Sequence, residues 1–121
     1  MASIVMLLMG GESQRASEVA ALRNAGHVLT VVEPRFPDCK SELDGPRPQL
    51  VIVDGLAAPS HGRATASWLS SLSRWRVVPF LFLDVPDKDV ARVKKELPRA
   101  QFGTWAGVVG ASERLVQRQS G

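Results

Sequence analysis

The sequence predicts an α/β fold: one doubly wound, five-stranded parallel sheet with helices on both faces. Two observations lead to this prediction. Short apolar runs of strand length alternate with segments of helical periodicity five times along the chain, and the intervening segments leave no room for hairpins. With 121 residues and 45% hydrophobic residues, the chain is long enough to bury one proper core. We therefore expect residues 1–121 to form a single domain.

The predicted strands are apolar and contain many β-branched residues. The continuous apolar run at residues 3–9 is typical of a central parallel strand that is covered on both faces. The third and fourth strands each end close to a carboxylate, Asp54 and Asp84. The five predicted strands span residues 3–9, 27–33, 49–55, 77–84 and 101–105.

The first predicted helix follows the pair Gly10-Gly11. Ser13 can cap it, and Gly26 supplies a left-handed stop. Four prolines between residues 34 and 48 leave room for at most a short second helix. The second to fifth helices are predicted near residues 38–43 and at residues 63–74, 87–97 and 111–119. Ser112 and Glu113 open the last of these.

Composition excludes several classes of function. The single cysteine, Cys39, cannot form an internal disulfide or a Cys/His zinc site, which favours a reducing, cytoplasmic location. The apolar start of the chain meets Gly10-Gly11 too early to cross a membrane. No aromatic RNA-binding motif or helix-turn-helix accompanies the basic residues, so we expect no nucleic-acid target.

Charge is unevenly distributed along the chain. Residues 63–121 carry ten Lys and Arg against five Asp and Glu, whereas residues 1–62 carry five against seven. This imbalance favours an acidic partner for the second half of the chain.

Three segments resemble the receiver domain of bacterial response regulators. They are the apolar first strand with its turn, residues 48–55 with Asp54 at the phospho-acceptor position, and residues 78–84 in place of the fourth strand. The resemblance extends over essentially the whole chain. It implies a flavodoxin-like sheet with strand order 2-1-3-4-5. The residues themselves carry no enzyme signature, so we expect no catalytic residue, no enzyme activity and no cofactor.

The chain departs from the receiver pattern at the positions that carry the chemistry. In the family, an acidic pair after the first strand holds Mg²⁺, but those positions are Gly10 and Gly11 here, with Glu12 one residue further on. Asp84 replaces the hydroxyl residue that ends the fourth strand. The position of the family's lysine is Trp105 or Val108, depending on a gap. We therefore expect Asp54 to lie in a vestigial pocket formed by Gly10, Gly11, Glu12, Asp84 and Trp105, without a metal.

The receiver resemblance also implies a surface for protein recognition, formed by the fourth helix, the fifth strand and the fifth helix. Trp105 is the tryptophan that we expect to be exposed, either plugging the pocket or anchoring a partner, whereas Trp68 and Trp75 are expected in the core. The partner is another protein or a second copy of this chain. The residues of this predicted surface are Lys88, Arg92, Lys94, Lys95, Arg99, Phe102, Trp105 and Arg114.

The sequence thus predicts a phosphorylation-independent, receiver-like interaction module in a bacterial regulatory, motility or transcription-control system. Three alternatives remain at this point. The chain could be an unorthodox receiver that is still phosphorylated on Asp54, or a small anion- or nucleotide-binding domain that uses the Gly10-Gly11 turn. It could also be a regulatory domain whose basic fourth helix contacts nucleic acid.

Overall fold

The computed structural model describes residues 2–34, 43, 47–55, 61–72 and 75–120. Cys39 and residues 38–42 of the predicted second helix lie outside these ranges. The strands are β1 (Ser3–Leu7), β2 (Val28–Val32), β3 (Leu50–Asp54), β4 (Phe80–Leu83) and β5 (Gln101–Gly103). The helices are α1 (Ala16–Asn24), α2 (His61–Ser71), α3 (Asp87–Glu96) and α4 (Val108–Ser120). α2, α3 and α4 correspond to the third, fourth and fifth predicted helices.

The strands form one sheet in the order β2-β1-β3-β4-β5, and every neighbouring pair is parallel. The strand order and the α/β fold class predicted from the sequence are confirmed. All described residues of β3 and β4 are buried, as expected for central parallel strands, whereas β2 and β5 at the edges are partly exposed.

Side chains that alternate along each strand build two separate cores. On one face of the sheet, Val53 and Phe82 pack with Leu69 of α2 and Val93 of α3. On the other face, Ile52 and Leu81 pack with Leu22 of α1 and Leu115 of α4. Helices therefore cover both faces, as predicted. Trp75 is fully buried in the first core and Trp68 packs against it, which confirms that these two tryptophans belong to the interior.

The first helix begins later than predicted. Ser13 does not cap α1, because residues Glu12–Arg15 form a 3₁₀ turn first and α1 starts at Ala16 without a side-chain cap. Gly26, with a φ of 95°, ends the helix as predicted. The path of the chain after β1 is thus determined by the glycine turn rather than by a serine cap.

The last helix begins earlier than predicted. The side chain of Thr104 accepts a hydrogen bond from the amide of Gly107 at 3.2 Å and so caps a 3₁₀ turn, Trp105–Gly107, that runs directly into α4. Ser112 is therefore a buried residue inside α4 and does not open it. β5 is correspondingly shorter than predicted and ends at Gly103, before Trp105.

Among the described residues, no helix is both long enough and apolar enough to cross a bilayer.

Candidate functional site

Asp54 and Asp84 lie at the carboxyl edge of the sheet, at the ends of adjacent strands. Asp54 is the last residue of β3 and is 6% exposed. It is aligned with Leu83, the last residue of β4, and Asp84 follows directly. The structure therefore brings the two acidic residues to neighbouring strand ends, as parallel strands require.

Asp84 holds the end of β5 in place. Its amide donates a hydrogen bond to the carbonyl oxygen of Gly103 at 2.9 Å, and its Oδ2 accepts one from the amide of Trp105 at 3.3 Å. Asp84 also has a φ of 55°, a left-handed conformation that only glycine, asparagine and aspartate adopt at moderate cost. The side chain of Asp84, which stands where the receiver resemblance implies a hydroxyl residue, thus accepts a hydrogen bond from the backbone that follows β5.

Gly55, which sequence reasoning missed, lies directly against the backbone of the Asp84 turn. A Cβ at this position would come within 2.3 Å of the Leu83 oxygen and within 2.5 Å of the Asp84 carbonyl carbon. Only a glycine allows this approach. The sequence did contain a signal for this contact. Gly55 directly follows Asp54 at the end of a predicted strand, and a glycine at a strand end often marks a close approach of another backbone segment.

The β1–α1 turn needs glycine at both of its central positions. Gly10 has a φ of 87° and Gly11 a φ of 79°, in the region that side-chain-bearing residues rarely occupy. A Cβ on Gly10 would also lie 2.7 Å from Cγ of Gln14. This turn therefore favours residues without a side chain where the receiver resemblance implies an acidic pair.

Glu12 does not take the place of that acidic pair. Its two carboxylate oxygens accept hydrogen bonds from the guanidinium of Arg23 at 2.7 and 3.2 Å, and the same guanidinium donates to the carbonyl oxygen of Leu29 on β2 at 3.1 Å. β1 separates β2 from the strand that carries Asp54. The expectation that Glu12 joins Asp54 is wrong, because Arg23 holds its carboxylate toward the β2 edge of the sheet.

The pairing with Arg23 also changes the acidity of Glu12. The hydrogen bond from Arg23, supported by its positive charge, lowers the pKa of the Glu12 carboxyl below its usual range and outweighs the smaller opposing effect of desolvation. Glu12 is therefore an anion held by a cation on the surface. Sequence reasoning missed this pair because the two residues are eleven positions apart and belong to different elements.

The residues present do not fit a Mg²⁺ site of the receiver type. Gly10 and Gly11 offer no carboxylate, and Glu12 is held by Arg23. Within the part of the chain that the structure describes, no group of three His, Cys, Asp or Glu side chains is arranged to hold a metal ion.

Trp105 is buried, and the expectation that it is exposed is wrong. Its side chain is 3% exposed and packs in the second core with Leu8, Val19 and Val108. The guanidinium carbon of Arg15, from the turn after β1, lies 4.6 Å from the centre of its ring. Trp105 follows β5 closely whereas Val108 already belongs to α4, so Trp105 is the nearer of the two candidates to the strand end where the receiver resemblance implies a lysine.

The glycine turn offers little to an anion. The amide of Gly11 donates to the Leu8 oxygen at 3.3 Å, and the amide of Gln14 donates to the Gly11 oxygen at 3.2 Å. Glu12 adds a negative charge beside these amides. The geometry of the turn thus gives no support to the anion- or nucleotide-binding alternative.

The residues of the predicted interaction surface lie on α3, on or next to β5, and on α4. Lys88, Arg92, Lys94 and Lys95 are exposed on α3, and the Lys94 ammonium lies 5.6 Å from the ring centre of the partly exposed Phe102 on β5. Arg114 is exposed on α4. Arg99 lies just before the amino end of β5, and its guanidinium donates a hydrogen bond to the carbonyl oxygen of Arg76 at 3.4 Å.

Structural comparison finds the same architecture in a response regulator. The crystal structure of the phosphorylated cyanobacterial phytochrome response regulator RcpA matches this chain with a TM-score of 0.70 over 93% of this chain and 91% of that one, at 15% sequence identity. This likeness confirms the receiver-like fold. No protein-family model matches the sequence, and no curated protein matches it significantly.

Proposed function

We propose that this chain is a phosphorylation-independent, receiver-like signalling module that acts in the cytoplasm of a bacterium by binding another protein, and not by catalysis. The proposal joins two features. The fold is receiver-like, and Gly10-Gly11, Asp84 and Trp105 stand where the receiver resemblance implies an acidic pair, a hydroxyl residue and a lysine.

The observation that carries the proposal is the identity of the residues that stand where the receiver resemblance implies an acidic pair and a lysine. Phosphoryl transfer to a carboxylate depends on cations that neutralise the phosphoryl oxygens. Here the turn after β1 provides two glycines, and Trp105, an apolar side chain packed in the core, stands in place of a lysine. Neither position supplies the Mg²⁺ ligands or the lysine with which a receiver stabilises the transition state of phosphoryl transfer.

The position of Asp84 adds a second barrier. A phosphoryl group on Asp54 would bring two negative charges close to the strand end where the Asp84 carboxylate lies. An ionised carboxylate repels such a group and has no proton to donate to it. In receivers a hydroxyl residue after the fourth strand responds to the phosphoryl group, and Asp84 cannot take that role.

Recognition would then depend on surfaces that do not need a phosphoryl signal. We assign this role to the α3 surface, defined by Lys88, Arg92, Lys94, Lys95 and Phe102. The contact between Lys94 and Phe102 places a cation and an aromatic ring, two groups that anchor interfaces, side by side. The positive charge of α3 favours an acidic protein partner. A second copy in a symmetric dimer would place like charges against each other.

The test uses two double variants with the same change in net charge. Arg92→Glu with Lys95→Glu alters the α3 surface, whereas Arg47→Glu with Arg114→Glu alters exposed arginines elsewhere. We expect a set of proteins from a lysate of the source organism to bind the wild type and the Arg47/Arg114 variant but not the Arg92/Lys95 variant. Both variants should keep a melting temperature close to that of the wild type. An unchanged set on the Arg92/Lys95 variant would overturn the assignment of the α3 surface.

A further inference from the structure

A groove lies at the amino ends of β4 and β5, at the opposite edge of the sheet from Asp54. Its volume is about 580 Å³. It lies between the end of α2, the segment 76–80 that enters β4, the segment 96–101 that enters β5, and the second half of α4. Of its lining residues, Arg99 alone belongs to the interaction surface predicted from the sequence, and none belongs to the α3 surface of the proposed function.

The floor of the groove is apolar. Val78, Phe80, Leu97 and Leu115 line it and are themselves buried in the two cores. Val77 at the rim is 48% exposed and is one of two large hydrophobic side chains that are exposed among the described residues. An apolar side chain that entered this groove would be shielded from water on several sides.

The rim of the groove is basic. Arg76, Arg99 and Arg118 line it, against the single carboxylate of Glu96, and all four side chains are exposed. The hydrogen bond from Arg99 to the carbonyl oxygen of Arg76 joins the two segments that enter β4 and β5. Three guanidinium groups around an apolar floor complement a ligand that combines carboxylates with an apolar centre.

We propose that this groove binds an acidic peptide segment of a partner protein, with one or two bulky apolar side chains on the floor and Asp or Glu side chains at the arginines. Half of the lining residues are exposed, so the groove is open along the surface. An open groove suits an extended segment that passes across it better than a small molecule, which binds where most of its surface is enclosed. This site is separate from the α3 surface.

The test uses a defined probe, a short synthetic peptide in which Asp and Glu flank a central Leu-Phe pair. Binding is followed by changes in the backbone amide NMR shifts of the intact chain during titration. We expect saturable shifts concentrated at residues 76–80 and 97–101. A peptide with Ser-Ser at its centre, and one with Lys in place of the acidic residues, should each bind more weakly by about tenfold or more.

Two charge-matched double variants, one at the groove and one on α3, separate this site from the α3 surface. Arg76→Glu with Arg118→Glu should weaken binding of the acidic Leu-Phe peptide by about tenfold or more, whereas Arg92→Glu with Lys95→Glu should change it by less than about twofold. Equal losses in both variants, or no saturable shifts at the groove, would overturn the proposal. Octanoate binding as tightly as the peptide would also overturn it, in favour of a site for small amphipathic anions.

Discussion

The backbone amide of Trp105 donates a hydrogen bond to Oδ2 of Asp84 over 3.3 Å. The receiver resemblance implies a hydroxyl residue where Asp84 stands and a lysine at or near Trp105. Both positions therefore serve the packing of the β5–α4 connection, and the carboxylate that ends β4 has a structural role.

Replacing Asp84 tests that role. Asp84→Ala loses the hydrogen bond and places alanine at a positive φ, so we expect the free energy of unfolding to fall by about 1–3 kcal/mol. Asp84→Asn keeps an accepting oxygen and tolerates this φ, so it should cost less than about 1 kcal/mol. Urea denaturation measures both. Equal losses in the two variants would mean that the charge, and not the hydrogen bond, is what matters.

Gly55 tests the close contact between the ends of β3 and β4. Gly55→Ala should lower the free energy of unfolding by about 1–3 kcal/mol, because the added methyl group would overlap the backbone of Leu83 and Asp84. Gly110→Ala, at an exposed position inside α4, serves as the control. It should stabilise the protein by about 0.5–1 kcal/mol through helix propensity. A neutral Gly55→Ala would contradict the described packing.

The sequence was sufficient to predict the sheet and its helices, because continuous apolar runs such as residues 50–53 can only be buried on both faces of a central strand. Helix starts were less predictable. A serine is a common cap, but the glycine turn and the Thr104 cap determine where α1 and α4 begin. The sequence shows which residues are able to cap a helix, but the tertiary structure decides which of them does so.

The candidate site was predictable only in part. Position along the chain was enough to place Asp54 and Asp84 on neighbouring strand ends. The direction of a side chain depends on partners that are distant in sequence, as with Glu12 and Arg23. The burial of Trp105 likewise depends on distant partners, because Val19 of α1 and Leu115 of α4 belong to the same core. The sequence alone therefore predicts an exposed tryptophan where the structure has a buried one.

Trp105 should be the most costly aromatic side chain to remove at this edge of the sheet. Trp105→Ala deletes a buried ring and its contact with Arg15, so we expect a loss of about 3–5 kcal/mol in the free energy of unfolding. Phe102→Ala is the matched comparison, and it should cost clearly less because Phe102 is only partly buried on an edge strand. Similar losses for the two variants would contradict the core position of Trp105.

The Glu12–Arg23 pair predicts a small dependence of stability on pH. Because the folded state lowers the pKa of Glu12, the ionised carboxyl stabilises the protein above the pH range in which an unfolded glutamate titrates. This contribution is lost as the pH falls through the folded pKa. Glu12→Gln should therefore have a lower melting temperature than the wild type at neutral pH, and the difference should shrink in acid.

Both partners of that pair are exposed, so the difference should be small and should decrease with added salt. The measurement is a series of thermal melts of the wild type and Glu12→Gln across acidic and neutral pH. A difference that grew in acid would contradict the assigned ion pair.

The central claim is that the chain acts without phosphorylation of Asp54. Intact-mass spectrometry after incubation with acetyl phosphate and Mg²⁺, with Asp54→Ala treated in parallel, tests it most directly. We predict the same mass for the wild type before and after treatment, because Gly10 and Gly11 stand where the receiver resemblance implies the Mg²⁺-binding acidic pair, and Trp105 stands where it implies a lysine. A phosphoryl adduct on the wild type that is absent from Asp54→Ala would contradict the claim and identify the chain as an unorthodox but working receiver.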